Sequence, residues 1–102
     1  MSLINAALTT SIANIYVSSG NTIVSAMYFC NYSASTVNFN LYAVPTATVA
    51  GNSNIIYSAI QLAAGDTYVV DWEKLVLSNG DTLQANATAS TSITSTVSYI
   101  GV

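Results

Sequence analysis

At 102 residues and 10.6 kDa the chain has the length of one domain, enough to bury a core without help from metal or disulfide. Apolar residues make up 52% and charged residues 5%, with a net charge of −3 and a single basic side chain. That balance argues against partners read through phosphates, so neither nucleic acid nor an anionic membrane surface is expected. No apolar run approaches the roughly 20 residues of a membrane-spanning helix.

Residues 1–11 mix small, polar and apolar side chains without a pattern, and read as an N-terminal arm leading into one domain over 12–102. They lack a basic n-region, so no signal peptide is expected. A first strand spans 12–17 and is closed by Ser18-Ser19-Gly20-Asn21. The long strand 22–32 is apolar on both faces, which predicts a central strand covered on both sides. Residues 36–44 alternate, with Val37, Phe39, Leu41 and Ala43 on one face and Asn38, Asn40 and Tyr42 on the other, the period of a half-buried strand. Pro45 removes a ladder donor and ends it, and residues 46–54 form the longest loop. Further strands follow at 55–62, 67–72, 74–78, 82–87 and 91–102. Helical spacing is absent. Eight short strands with turns between them predict an all-β, antiparallel β-sandwich, a jelly-roll or an Ig-like Greek key.

All five ionised side chains, Asp66, Asp71, Glu73, Lys74 and Asp81, fall in a single stretch. That stretch repeats one device, Gly65-Asp66-Thr67 and Gly80-Asp81-Thr82. Glycine supplies a positive φ, Asp bonds nearby amides as an Asx-type turn, and β-branched Thr starts a strand. Gly65, Asp66, Gly80 and Asp81 are therefore the turn-defining residues. Between strands 74–78 and 82–87, a three-residue loop Ser78-Asn79-Gly80 would place Leu75 opposite Leu83. The alternative is a sandwich corner joining two sheets.

Catalysis is not expected. The chain has no histidine, so nothing titrates near neutrality to act as general acid or base. Asp66 and Asp81 are explained by turns, and Asp71 with Glu73 beside Lys74 reads as a solvated hairpin tip. Cys30 cannot form an internal disulfide and reads as a small core hydrophobe. The sequons at Asn31 and Asn86 match by chance in a chain this rich in Asn, Ser and Thr. No cofactor or metal ligand set is present.

A surface wetted by neutral Ser, Thr and Asn lacks the charge repulsion that keeps domains apart, which predicts life within an assembly. The contact regions expected are the arm 1–11, Asn38, Asn40 and Tyr42 on one strand face, and Thr46, Thr48, Asn52 and Asn54 in the long loop. Tyrosine and asparagine supply contact area and neutral hydrogen bonds there.

The segments Ile15-Tyr16-Val17, Met27-Tyr28-Phe29-Cys30-Asn31, Phe39-Asn40-Leu41-Tyr42-Ala43-Val44-Pro45, Ala64-Gly65-Asp66-Thr67 and Leu77-Ser78-Asn79-Gly80-Asp81 carry a resemblance. They resemble small β-sandwich virion structural proteins of tailed bacteriophages, of the decoration (cement) or tail-fibre-associated type. The resemblance implies a virion component that contacts copies of itself and other virion proteins, has no catalytic residues, and reaches the particle from the host cytoplasm. Two alternatives accompany the decoration role: a tail, fibre or knob component touching the host surface, and a stand-alone intracellular binding domain.

Overall fold

A computed structural model describes residues 2–71 and 75–101, and the strands over these residues confirm an all-β sandwich. The elements are β1 (Ser2–Ala7), β2 (Ala13–Val17), β3 (Thr22–Asn31), β4 (Val37–Val44), β5 (Ile55–Leu62), β6 (Thr67–Val70), β7 (Leu75–Leu77), β8 (Thr82–Ala87) and β9 (Ile93–Gly101). One sheet has the order β1-β9-β3-β6, with β7 following β6 along the same edge of β3; the other has the order β2-β8-β4-β5. Every pairing is antiparallel.

Four sets of pairs are nested. Ser2 pairs with Tyr99, Tyr16 with Leu83, Met27 with Val70, and Phe39 with Ile60. The midpoint of each pair lies close to Ala50, in the 45–54 loop. The chain is thus one long hairpin, folded at that loop and rolled so that its successive segments alternate between two sheets. This is the jelly roll. In the Ig-like arrangement the first strand would not pair with the last.

Two expectations change. Residues 2–7, expected in an arm, form the ninth strand. Residues exposed on both faces show no alternation, and β1 is recruited by pairing along β9 and by Leu8, which is 1% exposed in the core. The expected hairpin between β7 and β8 is a corner, because β7 pairs with β3 and β8 with β2 and β4. Leu75 therefore pairs with Val24 in one sheet and Leu83 with Ala43 in the other, so the two do not oppose each other as expected. The parts of strands 67–72 and 74–78 that involve Trp72 and Lys74, and the hairpin tip at Glu73, lie outside the described residues.

The core is centred on Phe29 from one sheet and Phe39 from the other, both fully buried, with ring centroids 4.5 Å apart. Tyr68 meets Phe39 edge-on at 5.9 Å and Tyr57 at 5.6 Å. Such pairs add roughly 0.5–1.5 kcal/mol to area burial. Tyr16 and Tyr99 pack at 4.6 Å, and the Tyr16 hydroxyl donates to Thr22 Oγ1. Among the described residues no buried side-chain nitrogen or oxygen lacks a partner.

Candidate interaction site

The connections cluster at the two ends of the sandwich, and each cluster is organised by one polar side chain. At one end Asn31 closes β3 with no exposure. Its Nδ2 donates to Ser35 O (2.8 Å) and Leu62 O (3.0 Å), and its Oδ1 accepts from Ser33 N (3.0 Å) and Ser33 Oγ (2.7 Å). Its backbone is held too, by Asp66 O and Gly65 N. With all this capacity used internally, the sequon at Asn31 is a structural hub. Gly65 stands at φ 80° as expected, but Asp66 acts through its backbone, from N–H to Ala63 O and from O to Asn31 N.

At the other end Asp81 joins the β7–β8 corner to the 45–54 loop. Its Oδ2 accepts from Ser78 N (2.9 Å) and its Oδ1 from Thr46 N (2.9 Å), with the Thr46 hydroxyl at 3.0 Å. The bonds therefore run back to Ser78 and across the fold to Thr46, not ahead along the chain as an Asx turn would. The Ser78 amide first, then the Thr46 amide, hold the Asp81 carboxyl below its ordinary 3.8 against the opposing effect of desolvation, with the Thr46 hydroxyl adding to the lowering. Gly80 has φ 88°, and a Cβ there would lie 2.7 Å from Thr46 Oγ1. Asn79 Oδ1 accepts from Gly20 N (2.8 Å), which ties in the β2–β3 turn.

The expected contact residues divide. Asn38, Asn40 and Tyr42 do share the outward face of β4, but Tyr42 is only 7% exposed and offers little area. Asn40 bridges its sheet, with Nδ2 donating to Asn86 Oδ1 (3.0 Å) and Oδ1 accepting from Ala59 N (2.7 Å). Thr46 belongs to the Asp81 clamp. Thr48 Oγ1 donates to Pro45 O, and Asn54 closes its own loop onto Val49 O and Gly51 N. Of the loop residues named, Thr46, Thr48 and Asn52 are exposed and Asn54 is half-buried, and Val49 in the same loop is 83% exposed.

The larger apolar surface is on the opposite side of the molecule. On the outer face of the β1-β9-β3 sheet, Val76, Ile23 and Ile100 form one row across three strands. Val69, Tyr28, Thr96 and Asn5 form another, with Leu3 beside Ser98. Val76 is 72% and Leu3 67% exposed, and none of these residues is charged. The signal for this face was the two-sided apolar pattern of β3. One side is covered by the core, whereas the other is open, so the expectation of a strand covered twice is corrected. Cys30 lies on this outer side, half-buried between Thr67 and Thr94, and not in the core.

Two clefts among the described residues are small. One of about 170 Å³ lies between Ala43–Pro45 and Leu75–Leu77 beside Asp81, and one of about 30 Å³ lies beside Met27 and Tyr57. Small-molecule sites typically occupy about 300–1,000 Å³. Among the described residues no three of Cys, Asp and Glu come together to hold a metal ion. No protein-family model, curated protein or solved structure matches this chain.

Proposed function

We propose that this chain is a non-enzymatic structural component of a virus particle, a decoration protein that lies on the shell and contacts copies of itself and its virion neighbours. The observation that carries the reading is the uncharged apolar outer face of the β1-β9-β3 sheet, with its Val76–Ile23–Ile100 row. Exposed apolar area set in a polar surface is characteristic of a contact face. With no charge on it, recognition there rests on shape and apolar fit, and few ion pairs are available for salt to screen.

Two further features support the reading. Jelly rolls are frequent in viral capsid domains, although the same fold serves lectins and cupins, so this is fold-level analogy only. The pinned loops and small clefts offer a rigid body suited to contact more than to enclosing a substrate.

The test is to quantify the chain in gradient-purified particles by mass spectrometry and to locate it in electron micrographs. Decoration requires copy numbers in proportion to the shell protein, and binding to shells that persists as sodium chloride is raised. A few copies at one vertex would move the chain to the tail or fibre. Absence from particles would overturn the assignment to a virion and leave a stand-alone binding domain.

A further inference from the structure

Four strand edges terminate the two sheets, and three of them carry a feature that resists pairing with another chain. On the β2 edge the register slips between Asn14 and Tyr16. The β5 edge slips twice against β4, and Ala59 stands at φ 53° with its N–H already donated to Asn40. On the β6/β7 edge, β6 is short and ends at Val70, and Asp71 places a charge directly after it. Bulges, short strands and charges are the usual protections of a sheet edge.

β1 has none of them. Ser2–Ala7 runs against β9 without a register shift, carries no charge or proline, and is mostly exposed. Leu8 N donates to Ile93 O. Hydrogen-bonded and non-hydrogen-bonded pairs alternate along an antiparallel ladder, so Ala6, Ile4 and Ser2 also face β9. Leu3, Asn5 and Ala7 direct their N–H and C=O away from it, into the open edge.

We infer that this edge pairs with the β1 edge of a second copy of the chain, antiparallel about a two-fold axis at Asn5. The occupant follows from the register. Keeping the outer faces of both sheets on one side requires residues of equal parity to oppose one another. Centring on Asn5 sets Leu3 against Ala7, Ile4 against Ala6, and Asn5 against itself. All three outward-directed residues then form hydrogen-bonded pairs, giving about six backbone bonds. Centring on Ile4 would instead set the Asn5 amide against the apolar Leu3.

The side chains agree with this register. The exposed Leu3 meets the small Ala7, and no like charges meet across the axis. Thr96 Oγ1 donates to Asn5 Oδ1 (2.9 Å), which holds each amide on the outer face. The Asn5 Nδ2 and the second lone pair of Oδ1 remain to meet the Asn5 of the second copy. Pairing would extend the outer apolar face across both molecules. This deepens the particle-component reading, which supplies neighbouring copies.

Sedimentation velocity of the isolated full chain over a concentration series tests it, with circular dichroism and melting as controls for folding. The wild-type chain should show a reversible monomer–dimer equilibrium. Asn5→Pro removes an N–H that points away from β9, and should weaken the dimer about tenfold or more through the two central bonds lost. Asn5→Lys and Asn5→Asp should each be folded and monomeric alone at low salt, and should form a mixed dimer when combined, because residue 5 faces residue 5. A monomeric wild-type chain, or an Asn5→Lys chain as dimeric as wild type, overturns the edge pairing. Failure of the mixture to dimerise overturns the Asn5-centred register. A dimer that never enters particles sinks the particle reading alone, and a particle-bound monomer sinks only this one.

Discussion

The two ends of the sandwich solve the same problem with different chemistry. Each must tie together turns that are distant in sequence, one through Asn31 and the other through Asp81. Asn31 is uncharged and fully enclosed, and its four side-chain bonds reach Ser33, Ser35 and Leu62. Asp81 is half-buried, charged, and bonded to Ser78 and Thr46 near solvent. A buried amide satisfied on both sides costs little to enclose, whereas an enclosed carboxylate would need a paired charge. The one basic side chain, Lys74, is the only candidate for such a pair in this sequence. The neutral hub is therefore inside and the charged clamp at the rim.

The difference can be broken from both sides, on a scale set by the core that the two ends share. Phe39→Ala, which empties the centre of the Phe29–Phe39 stack, should cost about 3–5 kcal/mol in a denaturant melt. A loss under about 1 kcal/mol would contradict the buried position of the ring.

Asn31→Ala should come next, at about 3 kcal/mol, because it strands the carbonyls of Ser35 and Leu62 and the Ser33 amide. The loss should be almost independent of pH, since no titratable side chain joins these bonds. A loss no larger than that of an exposed Asn→Ala substitution would remove the hub.

At the opposite end Gly80→Val should cost about 2–3 kcal/mol, combining a positive φ disfavoured for β-branched residues with a collision at Thr46. Asn79→Ala, which removes the acceptor for Gly20 N–H near solvent, should cost about 1 kcal/mol. Equal effects would mean that the left-handed corner is not what Gly80 provides.

The smallest effect should be the dependence on acid. The folded chain holds Asp81 below 3.8, so the clamp's contribution is complete above that value and fades as pH falls through the lower folded value. Thermal melts of wild type and Asp81→Asn should accordingly converge as the pH is lowered from 5 toward 2. Parallel curves across that range would show that Asp81 does not titrate with folding.

How much of this could be read beforehand follows the range of each interaction. The inward set Val37, Phe39 and Leu41 was legible because burial on one side of a strand imposes period two on adjacent residues. Gly65 and Gly80 were legible because a positive φ is a local demand. Asn31 was hidden: its partner Leu62 is remote in the chain, and an Asn before a turn is ordinary. Likewise nothing near Asp81 pointed to Thr46.

The sequence by itself determined an all-β chain, the inward set of β4, and the two glycine corners, because each depends on residues within a few positions of one another. Tertiary structure alone decided which sheet each strand joins. Leu75 and Leu77 satisfy the same alternation whether β7 folds back on β8 or crosses to β3, and only the available partner edge selects between them. It decided equally that residues 2–7 are a strand, since their regularity comes from β9, and that the second apolar side of β3 stays open, since periodicity records which way a side chain points but not what covers it.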